Sequence, residues 1–339
     1  MSLFSVRQAR NASVLTALLL LLTACAGQQD VRESRFIMGT LVQFTIAGVD
    51  EDQALTAIHA AAEEMQRIED DFTIYGAKPN TVKAFNASVP GDVVSLPDEV
   101  GNLLLKARDV ATQSENAFNP LLGSLSLLWG FSLPDLPVAP PSDADIATAR
   151  SGADMKLMMM AKAGWKRLSP QTKLDFGAIA KGYAIDRGIA VLREHGIANA
   201  ILDAGGDMRV IGEHQGKPWR IGLRHPRKAG AALGWFEASG DISIVTSGDY
   251  ERYFVYQGRR YQHILNPATG MPADQSSSAT VITAANATLA EAWSTALFVL
   301  GEQGIPLVEA RGMQALLVDA DGVMHQSKLT LLPFHPSTQ

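Results

Sequence analysis

A single cysteine, Cys25, stands in 339 residues, so the chain can form no internal disulfide, and its body offers no thiol for a metal centre or a nucleophile. Charged residues make up only 19% against 47% hydrophobic ones, too little charge and too much apolar content for a disordered chain. The formal charge is -6, and an acidic body is a poor ligand for DNA or RNA, so no nucleic-acid partner is expected. Three familiar site motifs are also missing: GxxxxGKS/T, GxGxxG after a strand, and HExxH. A phosphate or nucleotide site would have to be built another way. No repeat of solenoid period occurs either.

What is present begins with a leader. Arg7 and Arg10 precede the apolar run Val14 to Leu22, which is too short to span a bilayer comfortably. Leu22-Thr23-Ala24-Cys25 then reads as a small-residue cleavage site and resembles a bacterial lipobox, whose cysteine is lipidated and becomes the new N-terminus. The alternative is a plain cleaved signal in which Cys25 is incidental. Loss of residues 1–24 takes away two arginines and no acid, so the formal charge goes from -6 to -8 and 315 residues remain. The expected organisation is a signal over 1–24, a lipidated cysteine and polar tether over 25–34, and one domain over 35–337.

Phe36 to Ile46 alternates, with Val42, Phe44 and Ile46 on one face, as a half-buried strand should, and Met38-Gly39-Thr40 interrupts its start. From Leu55, Ile58, Ala62, Met65, Ile68 and Phe72 follow helical spacing, with His59 as a surface or packing residue among them. A second helix is expected from Pro97 to just before Asn116, and Ser142 to Asp145 forms a capping box for a short one. Ala117 to Phe131 is rich in Gly, Leu and aromatics, and can fill a core or line a slot for a flat ring. The second half alternates short strands with turns and ends in a helix over Ala290–Leu300, a further helix–strand pair and a β-rich tail. Mostly antiparallel strands with a few long helices argue for an α+β fold.

The stretch Leu174 to Arg187, LDFGAIAKGYAIDR, carries the densest chemistry. A helical pattern opens at Ala178 and stops at Gly196. Lys181 and Gly182 then put a mobile cation and a bare stretch of backbone near a helix N-terminus, which suits a phosphate. The plainer reading is an ordinary helix start with Asp175 as cap and Lys181 in solvent.

Polar and glycine-rich residues gather in five segments, each at an element boundary: Met38-Gly39-Thr40, Ala117-Phe118-Asn119, Asp175 to Lys181, His263 to Gly270 and Glu291 to Thr295. In order and spacing, FIMGT, AFNPLLG with LWGF, LDFGAIAKGYAIDR, DAGGDMRVIG, TSGDYERYF, HILNPATGMPA and EAWSTALFVLG resemble the ApbE family, the FAD:protein FMN transferases. The resemblance covers nearly all of the chain after the leader. It implies an ApbE-like, tunnelling-fold-like α+β architecture and an Mg²⁺-dependent transfer: a threonine hydroxyl of a partner protein attacks the FMN phosphorus of FAD, and AMP leaves. Some family members hydrolyse FAD to FMN and AMP. Met38, Tyr75, Ala117, Phe118, Asn119, Asp175, Lys181 and Leu265 match positions that hold FAD. Ala178 through its carbonyl, Glu291 and Thr295 match those around Mg²⁺. His263 matches the histidine proposed to deprotonate the acceptor, which would make transfer fall at low pH, and Lys181 would offset phosphate charge. The implied partner is a protein with a Thr-containing motif, in many cases a redox-pump subunit, met on the periplasmic side of a bacterial membrane to which Cys25 anchors the chain.

The residues support such roles in elementary terms. Magnesium takes oxygen ligands, and Glu291 and Thr295, four apart, fall on one helix face one turn apart. A hydroxyl is a weak nucleophile at neutral pH, so an imidazole helps as a base. Three positions depart from the family pattern, which usually has Asp at 119, 266 and 291; here they are Asn119, Asn266 and Glu291. Two other readings stay open: an FAD pyrophosphatase, and a flavin-binding lipoprotein without chemistry. Asp274 to Thr280, DQSSSAT, resembles the acceptor motif itself, but Ala279 to Thr283 reads better as a buried strand.

Overall fold

The computed structural model describes residues 29–284 and 286–337; the leader and Cys25 lie outside them. In chain order the elements are β1 (Val31–Ile37), β2 (Thr40–Ala47), α1 (Glu51–Phe72), α2 (Thr81–Ala87), α3 (Asp98–Gln113), α4 (Gly123–Trp129), α5 (Asp143–Arg150), β3 (Met158–Ala161), β4 (Gly164–Arg167) and α6 (Ala180–Glu194). Then come β5 (Asn199–Ala204), β6 (Asp207–Gly212), β7 (Trp219–Arg224), β8 (Ala232–Ala238), β9 (Gly240–Gly248), β10 (Tyr253–Tyr256), β11 (Arg259–Gln262) and β12 (Ser276–Ala284). The chain finishes with α7 (Ala287–Leu300), α8 (Ile305–Glu309), β13 (Gln314–Asp319), β14 (Met324–Gln326) and β15 (His335–Pro336).

An eight-stranded antiparallel sheet, in the order β1-β2-β5-β6-β9-β12-β13-β14, is the platform. One face carries α1, α6 and α7; on the other, a three-stranded sheet, β15-β8-β7, packs on β6, β9, β12 and β13, its core also taking in Ala47 of β2 and Ile201 of β5. The α+β architecture read from the sequence is therefore the observed one. Alternation explains β2, where Val42, Phe44 and Ile46 turn inward against α1. Helix α1 starts where Asp50 accepts the Gln53 N–H at 2.9 Å, with Glu51 and Asp52 in its first turn. Its buried stripe runs Ala54, Ile58, Ala61, Met65, Ile68, Phe72. Helix α7 is apolar almost all round and lies in the middle of the core, with Trp293, Leu297 and Phe298 at or below 2% exposure. Removing one such aromatic would cost about 3–5 kcal/mol.

Several boundaries differ from those read in the sequence. Residues 31–34, expected to be tether, are strand, because β1 pairs with β2 through Val31↔Ile46 to Ile37↔Thr40. Met38 and Gly39 then make the two-residue turn, both at positive φ, 60° and 65°. Helix α6 begins at Ala180 and not Ala178, because the Ile179 and Ala180 N–H groups both turn back onto the Phe176 carbonyl, at 2.9 and 2.7 Å. Strand β8 and the short helices α2 and α4 gave no periodic signal long enough to read. Of the two readings of His59, surface or packing, the structure gives the first: the residue is exposed.

Candidate active site

The start of α6 is the centre of the site. Lys181 and Gly182 lie in its first turn, where N–H groups have no partner within the helix. The group that fills this place is a side chain: the carboxyl of Glu291, from α7, accepts the Gly182 N–H at 2.7 Å and also the Lys181 N–H. So the helix N-terminus expected to hold a phosphate is satisfied from within the chain. Asp175 does not cap the helix either; its Oδ1 accepts the Gly177 N–H at 2.8 Å, which fixes the turn ahead of α6.

Ala178 precedes the cap of α6, so its carbonyl stands outside the helix's own hydrogen-bond ladder. Glu291, Thr295 and the Ala178 carbonyl are all oxygen donors, the set a hard cation takes, and a carboxylate holding N–H groups on one oxygen keeps lone pairs for a cation. The Ser247 hydroxyl adds another oxygen, 3.4 Å from that of Thr295 and 2.8 Å from that of Ser294. No cluster of three His, Cys, Asp or Glu side chains suited to a metal occurs among the described residues, so any cation here would depend on hydroxyl and carbonyl oxygens.

Lys181 Nζ lies 2.5 Å from Asp207 Oδ2, and the carboxylate is almost wholly buried. Burial opposes the ammonium charge, but Asp207 and then Glu291 outweigh it, and the Lys181 pKa ends above its usual value. The Glu291 pKa ends at about 8, which for a carboxylate favours the neutral form: burial pushes it up most, Lys181 pulls it down, and Asp207 adds to the rise. More buried carboxylate is present than one ammonium can balance. Asp207 was not singled out in the sequence, although its place after the Gly205-Gly206 turn, at the head of an apolar strand, marks it as unusual. Asp186 was missed as well; it accepts the Ala287 and Thr288 N–H groups at 2.9 Å each and so fixes the start of α7 that carries Glu291.

A second cluster sits at the end of the Met38 turn. Arg252 donates to the Gly39 carbonyl at 3.2 Å and to Ser132 Oγ at 2.7 Å, and Ser132 and Ser126 reach the Tyr75 hydroxyl. Ser126 also reaches Asp175. Burial, then the Asp175 charge, raises the Tyr75 pKa; burial raises that of Asp175. Met38, Tyr75 and Asp175 are thus brought together, through Arg252 and two serines that the sequence reading did not name.

Ala117, Phe118, Asn119 and Leu265 are buried. The segment after Asn119 runs beside Asp175, whose N–H donates to the Pro120 carbonyl at 2.8 Å. Asn119 Nδ2 donates to the Ala153 carbonyl and its Oδ1 accepts the Leu121 N–H, both at 2.7 Å. An aspartate could not make the first of these bonds, so the loop itself accounts for asparagine here. Asn266 Oδ1 accepts the Ala268 N–H at 2.9 Å, a turn that Asp would close equally well. Leu265 packs with Trp129, Phe131, Phe254 and Tyr261, so Ala117 to Phe131 supplies core as well as site.

His263 joins the two clusters. Its main-chain N–H donates to the Arg252 carbonyl at 3.1 Å, and its buried ring Nδ1 has no partner among the described residues. Burial, with Arg252 and Lys181 nearby, lowers its pKa to about 3. The imidazole is therefore neutral at ordinary pH, and the expected fall of transfer at low pH cannot come from its titration in the usual range. Thr280, in the acceptor-like DQSSSAT, lies fully buried in β12, its hydroxyl 2.9 Å from that of Thr246.

The family model of the ApbE family matches residues 38–317. An FAD:protein FMN transferase of Treponema pallidum is 31% identical over 333 residues, spanning 91% of this chain and 90% of that protein. One from Rhodobacter capsulatus is 34% identical over 291 residues, 85% of this chain, but this chain spans only 55% of its length. Among solved structures, the ApbE protein of Thermotoga maritima superposes with a TM-score of 0.81 at 33% identity, over 88% of this chain and 97% of that one. The flavin transferase ApbE of Vibrio cholerae gives 0.78 at 25% identity, over 88% and 97%.

Proposed function

Because the chain belongs to the ApbE family, we propose that it is an FAD:protein FMN transferase, which moves FMN from FAD to a threonine hydroxyl of another protein and releases AMP. The observation that carries this reading is the gathering at the start of α6: the Lys181 ammonium, Glu291 with Thr295 one turn on along α7, and the Ala178 carbonyl just ahead of the helix. Such a set suits a diphosphate ester, whose anionic oxygens repel a nucleophile until cations offset them.

In the transfer, the threonine Oγ bonds to the FMN phosphorus while the bond from that phosphorus to the bridging oxygen breaks, and the AMP leaves with that oxygen. The hydroxyl proton goes to the neutral imidazole of His263, whose unpartnered Nδ1 is able to accept it. Lys181 draws charge from the phosphate oxygens. Mg²⁺, held by Glu291, Thr295 and the Ala178 carbonyl, would supply Lewis-acid stabilisation of the diphosphate. Met38, Tyr75 and Asp175, with Ala117 to Asn119 and Leu265 beside them, would hold the flavin nucleotide. We assign the chain to the periplasmic face of a membrane, anchored by a lipidated Cys25, on the strength of the lipobox-like Leu22 to Cys25.

The test mixes pure protein, FAD and Mg²⁺ with and without candidate acceptors, following AMP release, in-gel flavin fluorescence and intact mass. Covalent FMN on an acceptor threonine is the expected result. AMP release at full rate without acceptor would make the chain an FAD pyrophosphatase, and binding without AMP would leave only a flavin carrier.

A further inference from the structure

The three-stranded sheet is narrower than the platform it packs on, and this leaves a groove. Paired residues across the platform, Gln43↔Asp203, Asp203↔Met208 and Met208↔Ile244, share the face that looks toward the smaller sheet. Met208 and Ile244 are covered by Ile221, Leu223 and Phe236. Farther out on that face, Leu41 and its cross-strand partner Phe36 are uncovered, at 49% and 76% exposure. Beside them, β7 pairs only with β8, so its other edge has no strand partner among the described residues.

Between that edge and the platform lies a cavity of about 390 Å³. Leu41, Gly222, Leu223 and Phe236 line its apolar part, and a β-carbon placed on Gly222 would meet nothing within 4 Å. Asp203, Thr246 and Glu251 stand where it approaches the reaction centre. The Thr246 N–H donates to Asp207 Oδ1 at 2.9 Å, while the other oxygen of Asp207 holds Lys181. Asp203 and Glu251 both act electrostatically on Lys181 or feel it. None of the residues assigned above to the flavin nucleotide lines this cavity, yet its Thr246 is bonded to the carboxylate that holds the lysine meant for the phosphate.

Resting on the transferase reading, we propose that this groove receives an extended segment of the acceptor protein, which pairs along the free edge of β7 as a fourth strand and presents its hydroxyl beside Thr246 and Asp207. Strand addition suits the site because an unpaired edge supplies main-chain donors and acceptors to any sequence, while pockets select alternate side chains. The added strand covers Phe36 and Leu41 with apolar side chains and passes Gly222 closely. Its outward side favours an acid, since Arg220 on β7 lies over the Trp235 ring, 3.9 Å away, and forms no ion pair among the described residues. Arg224 is already matched by Glu251 at 2.9 Å.

The probe is a protein that the wild-type chain modifies, identified by FMN mass on its threonine. Hydrogen exchange is measured on the full chain with that protein alone, with FAD alone, and with neither, reading the amides of residues 219–224. Protection by the acceptor and not by FAD is expected. In parallel, Phe36→Asp and Arg220→Glu should raise the acceptor KM about tenfold or more while kcat and FAD affinity stay within about twofold. Protection by FAD alone would give the cavity to the flavin and overturn the proposal, as would unprotected amides together with an unchanged KM. A wild type that modifies no protein at all is a different failure, one that removes the transferase reading and this docking site with it.

Discussion

Glu291 Oε2 lies 2.7 Å from the Gly182 nitrogen, so a carboxylate from the last long helix closes the first turn of α6. The contact needs the two helices close together. A β-carbon on Gly182 would stand 2.3 Å from the Ala287 carbonyl oxygen, which is backbone and cannot swing aside.

Gly182→Ala should therefore push α6 and α7 apart. The expected loss is about 1–3 kcal/mol, the usual cost of forcing extra volume into a packed site. At about 2–4 °C for each kcal/mol in a protein of a few hundred residues, the melting temperature should drop by several degrees. The same shift moves Glu291 away from its amides, so AMP release should fall too. A melting temperature equal to wild type would mean that the helices separate freely and that glycine is not required here.

How much of this could be read in the sequence is clear from Lys181 and Asp207. The lysine, its helix and the five segments were legible because each breaks a periodic pattern with a glycine, a charge or, in Ala117 to Asn119, a polar amide. Its partner was not, because Asp207 lies 26 residues on and the pairing follows from where β6 starts in the sheet, a long-range register that local spacing does not encode. The same holds for Arg252, which ties the Met38 turn to Tyr75 across the fold. Strand β8 was illegible for another reason: Leu233, Trp235 and Phe236 do not alternate cleanly, and its place comes from packing on Ile221.

The Lys181–Asp207 pair should show the asymmetry of buried ions. Removing one partner leaves the other charge in a site with little water, at a cost of about 3–5 kcal/mol, while removing both costs much less. Lys181→Met should be strongly destabilised, and Lys181→Met with Asp207→Asn should recover most of that loss. Transfer should stay down in both, by about a hundredfold or more, since the charge that offsets phosphate is gone in each. Denaturant unfolding and transfer rates on the two variants decide it. A double variant as unstable as the single one would show that the pair is not coupled.

Metal dependence should separate Glu291 from an ordinary cap. Glu291→Gln can still accept N–H groups through its amide oxygen, so fold and flavin binding should survive. The variant loses the negative charge, so its magnesium requirement should move at least about tenfold higher and AMP release should fall more than flavin affinity. Glu291→Asp, one methylene shorter but still charged, should keep measurable activity. A magnesium titration of transfer by the three proteins is the measurement. If the Gln variant follows wild type throughout, Glu291 is only the cap of α6.

The last prediction concerns His263 and acid. An ordinary histidine, protonating near pH 6.5, would be lost as a base over the range where most assays are run. Here burial, with Arg252 and Lys181 close by, holds the imidazole neutral down to about pH 3. The folded state thus binds fewer protons than the unfolded chain between about pH 3 and 6.5, and the stability this group contributes is full above that window and is lost as pH falls through it. Two measurements follow. The ratio of transfer rates, wild type to His263→Gln, should stay constant from pH 5 to 8 at about a hundredfold or more, and His263→Gln should lose less stability than wild type between pH 7 and 4. A base this weak takes the proton late, once bonding to phosphorus has made the hydroxyl acidic, so its worth lies in being unpartnered more than in proton affinity. A ratio that shrinks toward one below pH 6.5 would show instead an imidazole that titrates normally, open to water in the working enzyme.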